Sequence, residues 1–146
     1  MTLNSISLTE FSCDPKQLSP LTLAFIGDTV YDLFVREMVI SSANRPANQL
    51  HTLSAQRVRA SAQAQAARAL LDKGFLHTQE TAVLRRGRNA HSRHQPKNMS
   101  EADYHLATGL EALFGYLYLS RDFARLRQIF REICAEFDDD PGESNE

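Results

Sequence analysis

Long apolar runs, paired cysteines and strand-like alternation are all missing from these 146 residues. No apolar run reaches the roughly 20 residues that a bilayer requires. Asp28, Asp32 and Arg36 interrupt the first apolar stretch and Glu111 the second. The opening MTLNSISLTEFSCDPK lacks a basic segment followed by an apolar one, so no secretory signal is expected. Cys13 and Cys134 lie far apart and fit no metal-binding pattern. Both read as free thiols in a reducing, cytoplasmic compartment, with Cys134 a small core residue of the last helix. No period-2 pattern bounded by turn residues marks a strand, and no segment repeats. What remains is an all-α helical bundle, long enough to form one domain with its own core.

The formal charge of −2 hides an asymmetry. Residues 136–146 (EFDDDPGESNE) hold six acids and no base, so the rest of the chain is mildly basic. Such a body is compatible with an RNA partner. The expected organisation is one domain over 1–137, followed by a disordered acidic tail over 138–146.

Helical spacing organises the domain. Residues 1–18 read as loop with a short turn. Ser19-Pro20 is an N-cap followed by proline at the first helical position, opening a helix to about Ile40. Asn44-Arg45-Pro46 breaks the chain. Helical spacing then resumes through Leu50, Leu53 and Val58, with a break near Ser61. The Ala- and Gln-rich stretch 62–73 follows as a tightly packed helix, closed by Gly74. A helix over His77–Arg88 ends in arginines, which suit a helix C-terminus. Pro96 keeps 90–99 a loop. Asn98 or Ser100 caps a helix over Glu101–Leu119, and a last helix runs from Ser120 to about Phe137.

Two lone carboxylates stand inside the apolar helices: Asp28 in LTLAFIGDTVYDLFVR and Glu111 in TGLEALFGYLYL. A buried carboxylate is costly unless a cation or hydrogen bonds compensate it. Gly27 and Gly109 stand beside them, and glycine inside a helix implies close approach of a backbone or ligand. If the two helices cross there, Asp28 and Glu111 form an all-oxygen site suited to Mg²⁺, with Mn²⁺ as a substitute. Local pairing of Asp28 and an arginine partner for Glu111 fit the same spacing. Asp32 reads as exposed or salt-bridged. Asp103 lies too far along its helix to share the site. Thr108 would hydrogen-bond either metal-bound water or its own backbone.

Between the acids lies RRGRNAHSRHQPK (85–97), with five Lys/Arg and no acid. Arg85, Arg86, Arg88, Arg93 and Lys97 are candidates for gripping a phosphate backbone, with Asn89, His91, His94 and Asn98 as polar helpers. A solvated loop whose arginines only cap a helix is the plainer reading. His91-x-x-His94 lacks the further ligands that zinc would need.

These segments together resemble the Mini-ribonuclease III family, the ribonuclease III catalytic domain without its double-stranded-RNA-binding domain. LAFIGDTVYDLFVR at 23–36, RRGRNA at 85–90, PKN at 96–98 and TGLEALFGYLYL at 108–119 carry the resemblance, which covers roughly residues 18–134. It implies an all-α, homodimeric, Mg²⁺-dependent endonuclease for double-stranded RNA, acting on the 23S ribosomal RNA precursor. Asp28 matches the family's catalytic aspartate and Glu111 its glutamate, both linked to the metal. Full-length ribonuclease III has two further acids, at positions held here by Ala24 and Thr108, a reduction shared with the Mini-III branch. Asp32 stands where the branch usually has Glu, His105 where Arg is expected and Ala107 where Ser is expected. The rival function is a non-catalytic duplex-RNA-binding or ribosome-assembly module of the same fold. A purely structural helical dimerisation domain is a second rival.

Overall fold

A computed structural model describes residues 8–90 and 100–138 of the chain. After a 3-10 turn at Pro15–Gln17 come six helices: α1 (Pro20–Ser42), α2 (Ala47–Val58), α3 (Ala60–Asp72), α4 (Thr78–Asn89), α5 (Glu101–Leu119) and α6 (Phe123–Asp138). Among the described residues there is no strand, and no helix is long and apolar enough to cross a membrane.

α5 is the axis of the fold. Residues 106–110 and 112–117 are all buried, so the helix is covered almost all round. α1, α3 and α4 pack against it, and α6 adds Leu126, Ile129 and Ile133 to the same core. Tyr31 and Phe34 of α1 interlock with Phe114 and Phe130. The Tyr31 and Phe114 rings meet edge-on, 4.9 Å apart, a favoured aromatic geometry. The aromatic residues of 114–118 are thus mainly core.

Small residues set the helix spacing. A Cβ on Gly27 would overlap the Glu111 carbonyl oxygen, and one on Gly115 would overlap that of Leu23. The backbones of α1 and α5 therefore touch at this crossing. α4 meets α5 in the same way. A Cβ on Gly87 would lie 2.9 Å from the Gly109 Cα and 3.2 Å from the Thr108 oxygen. Both glycines singled out beside the lone acids thus mark backbone contacts, Gly27 with α5 and Gly109 with α4.

Local signals explain most helix ends. The Ser19 side chain accepts the Thr22 N–H at 3.2 Å, with Pro20 in the first turn. Ser100 caps α5 by accepting from the Asp103 N–H. The break expected near Ser61 falls at Arg59, which ends α2 and begins α3. Gly74 takes a left-handed φ of 63° just beyond α3. The last helix starts at Phe123 rather than Ser120. Arg121 adopts φ 63° in the intervening turn, and the Asp122 carboxylate accepts the Arg125 N–H at 3.2 Å. Residues 139–146 of the expected acidic tail lie outside the described residues.

A buried ion pair joins α4 to α6. Arg125 binds both Glu80 oxygens, at 2.8 and 2.9 Å, and donates to the Phe75 carbonyl at 2.9 Å. Its guanidinium also lies over the Phe75 ring. Burial would push the Glu80 carboxyl up, but the hydrogen bonds from Arg125 and the His77 N–H outweigh it and hold it low.

Candidate active site

The α1–α5 crossing puts Asp28 and Glu111 on one open cleft of about 350 Å³. Leu21, Ala24, Phe25, Thr29, Tyr104 and Thr108 complete its lining. The cause lies in the backbone. With no side chain at Gly27 or Gly115, α1 seats directly on the Glu111 turn of α5, and the residue after Gly27 faces the same opening. Ala24 and Thr108, where full-length ribonuclease III carries further acids, line this cleft as well. Asp28, Glu111, Ala24 and Thr108 thus share one wall.

Asp28 corrects the picture of two buried acids, because it is exposed on the rim while Glu111 is half-buried beneath it. α1 turns this face to the cleft rather than to the core, which also leaves neighbouring Phe25 80% exposed. Burial pushes the Glu111 carboxyl up to about 8, helped by the Asp28 charge and a hydrogen bond with Asp28, and opposed by the Gln63 amide. Among the described residues, Asp28 and Gln63 are the groups that act on Glu111.

The other acids are engaged elsewhere. Asp32 pairs with Arg36 at 3.0 Å along α1, and Asp103 pairs with Arg68 at 2.7 Å. The Thr108 hydroxyl donates to its own helix, at the Tyr104 carbonyl 2.9 Å away. Among the described residues, no third His, Cys, Asp or Glu joins the pair.

Arg85, Arg86 and Asn89 are exposed at the end of α4, and Arg88 is half-buried with its Nε donating to Asn89. Gly87 rests on the backbone of Gly109 and Thr108, and Thr108 lines the cleft. The basic end of α4 is thereby tied to the cleft wall. Arg93, Lys97 and Asn98, with His91 and His94, lie outside the described residues. His105 approaches Glu101 at 3.7 Å, and Ala107 is buried.

Tyr104 and Gln63 were not among the residues that the spacing singled out. Tyr104 lines the cleft one turn before Thr108, on the Glu111 face, and helical periodicity could have found it. Gln63 sits in an alanine-rich helix, where nothing in the sequence separates it from Gln65.

The Ribonuclease III domain family model matches residues 21–122. A Mini-ribonuclease 3 of Thermoanaerobacter sp. (strain X514) is 46% identical over 112 residues, covering 77% of this chain and 78% of that one. The Mini-ribonuclease 3 of Enterococcus faecalis is 36% identical over 133 residues, covering 91% and 98%. A crystal structure of a Fusobacterium nucleatum protein superposes with a TM-score of 0.74 at 23% identity, covering 86% of this chain and 98% of that one, which shows the shared fold. Matched over its crossing helices and most of its length, the chain belongs to the ribonuclease III family, as an endonuclease of the Mini-ribonuclease 3 type.

Proposed function

We propose that this chain cleaves double-stranded RNA in the cytoplasm at the Asp28–Glu111 cleft, with Mg²⁺ (or Mn²⁺ in its place) bound there. It works as a homodimer, and its substrate is the 23S ribosomal RNA precursor. One observation carries the reading: two acids from helices remote in sequence share one open cleft, fixed by backbone contact.

The residues fit a hard divalent cation. The donors are both carboxylates, and Mg²⁺ commonly takes one or two of these, with water and substrate phosphate filling the other positions. Glu111 holds its proton well above the usual carboxylate range, chiefly because it is buried and then because the Asp28 charge lies beside it, and a bound cation would offset both. When bound, such a cation neutralises the scissile phosphate and makes water more acidic for in-line attack.

The chain's own groups do the rest. Asp28 and Glu111 would hold the cation through their carboxylates. Arg85, Arg86 and Arg88, with Arg93 and Lys97, bind the flanking backbone, and Asn89 and Asn98 add hydrogen bonds. Duplex RNA is gripped through shape, phosphates and 2′-hydroxyls, so no base-reading element is needed. A two-fold pair of clefts would place one site on each strand. Exposed Leu21 and Phe25 on the rim offer apolar surface for such a partner copy. The ribosomal precursor rests on the family resemblance alone.

The test is cleavage of a labelled duplex containing a 23S precursor stem, in Mg²⁺ and in EDTA. Cuts on both strands in Mg²⁺, absent from Asp28→Asn although it still binds the duplex, are expected. Undiminished cleavage by Asp28→Asn would remove the metal assignment. Binding without cleavage in any divalent metal would favour the non-catalytic module. Sedimentation of the same preparations reads the dimer, and a monomer active at all concentrations would exclude it.

A further inference from the structure

A second pocket, of about 390 Å³, opens at the α2–α3 junction and shares no lining residue with the Asp28–Glu111 cleft. Gln56, Arg57, Arg59, Ser61 and Gln65 line it, and Phe137 of α6 forms one wall. Among the described residues no carboxylate lines it, so its charge is positive. The chain turn explains the pair of arginines: Arg57 stands in the last turn of α2, and Arg59 ends α2 and begins α3. Arg59 is exposed and Arg57 half-buried.

The end of α6 is fixed against this pocket. Lys73 of α3 pairs with Glu132 and Glu136 of α6. The Arg57 guanidinium lies over the Phe137 ring, 4.4 Å from its centroid, which holds both side chains in the pocket wall. α6 ends one residue later, at Asp138. Residues 139–146 (DDPGESNE) then supply four acids and no base. They follow a helix C-terminus whose last turn carries no base, and acids there are disfavoured by the carbonyl end of the helix. A cation from another element relieves that repulsion.

We propose that the acidic segment 139–146 folds back onto the α2–α3 pocket of its own chain, its carboxylates pairing with Arg59 and Arg57. Reach is no obstacle. Asp139 and Asp140 lie two and three residues beyond Phe137, so chain length alone keeps their Cα atoms within roughly 11 Å of it. Pro141-Gly142 is a turn signal, suited to bringing Glu143 and Glu146 back to the same surface. So short a tether gives an effective concentration on the order of millimolar. The modest attraction of exposed ion pairs therefore suffices. Docked there, the segment withdraws two arginines from the surface open to any other polyanion. The docking does not depend on the cleavage reading.

Amide NMR spectra of the full-length chain test it, beside a variant with a neutral segment (Asp139→Asn, Asp140→Asn, Glu143→Gln and Glu146→Gln together). The signals of Ser61, Ala62 and Gln65 should differ between the two chains in low salt. They should converge in about 0.5 M NaCl, where exposed charges are screened. Identical signals at these positions in low salt would overturn the docking. Signals indifferent to the segment but displaced by duplex RNA would assign the pocket to RNA and overturn it equally.

A chemical test stands beside the spectra. Arg59→Lys keeps the charge and supplies an amine that a carbodiimide joins directly to a touching carboxylate. The expected product links position 59 to the segment 139–146 within one chain, and high salt should suppress it. No link in low salt, or a link found only between two copies, would overturn docking within the chain.

Discussion

Glu111 keeps its proton up to about pH 8 in the cation-free fold, chiefly because it is buried and then because Asp28 is beside it. An acid raised in this way is protonated in the folded chain where the unfolded chain has already lost its proton. Its contribution to stability is full below the unfolded value near 4.5, declines as pH rises from there to about 8, and is level above. In EDTA, Tm should fall across that window for the wild type and run flatter for Glu111→Gln. Equal slopes would show that another group titrates. At this scale the sequence revealed the two acids, because a lone carboxylate in an apolar helical window stands out. It did not reveal that Asp28 is exposed, since one helix's pattern cannot say whether a neighbour covers a given face. Gln63 stayed hidden for a related reason: its burial follows from the packing of α3 on α5, not from its local context.

Between elements, the spacing of α1 and α5 depends on the absence of side chains. Gly27→Ala would drive a methyl group into the Glu111 carbonyl. A loss of about 3 kcal/mol is expected, in the upper range for overpacking, together with loss of cleavage as the acids separate. Urea unfolding reads the first and the duplex assay the second. Wild-type stability would show that the crossing yields easily. The α4–α6 junction rests on the opposite device, a desolvated charge pair. Arg125→Met leaves the Glu80 carboxylate buried without its partner and should cost about 3–5 kcal/mol, whereas replacing both residues by apolar ones should cost less. Because Glu80 is held low, its contribution is present above pH 4.5 and lost as pH falls, so the single variant should lose least in acid. A pH-independent difference would contradict this. Helix identities were readable from periodicity and caps. The start of α6 was not, because a left-handed turn at a non-glycine residue, Arg121, leaves no local signature. Nor was the Glu80–Arg125 pair, whose members are 45 positions apart.

For the molecule as a whole, a chain of net charge −2 must bind a polyanion through a local basic surface. Replacing Arg85, Arg86 and Arg88 together with Ala should weaken duplex affinity and make its dependence on salt concentration shallower by up to about three contacts' worth. Equal affinity and slope in a filter-binding salt series would exclude the end of α4 as the RNA contact. The all-α architecture was evident from the whole sequence, and the meeting of its remote motifs became evident only in three dimensions.

The glycine crossing also bears on how such a chain can diverge. At positions 27 and 115 every residue type except glycine collides with main chain, and main chain cannot turn aside. At Ala24 and Thr108, on the cleft wall, a larger or charged side chain has open space in front of it. Sequence drift is therefore barred from altering the distance between the two acids and is free to add or remove acids around them. The frame is fixed by main chain, and it is the set of side chains on the cleft wall that can grow or shrink.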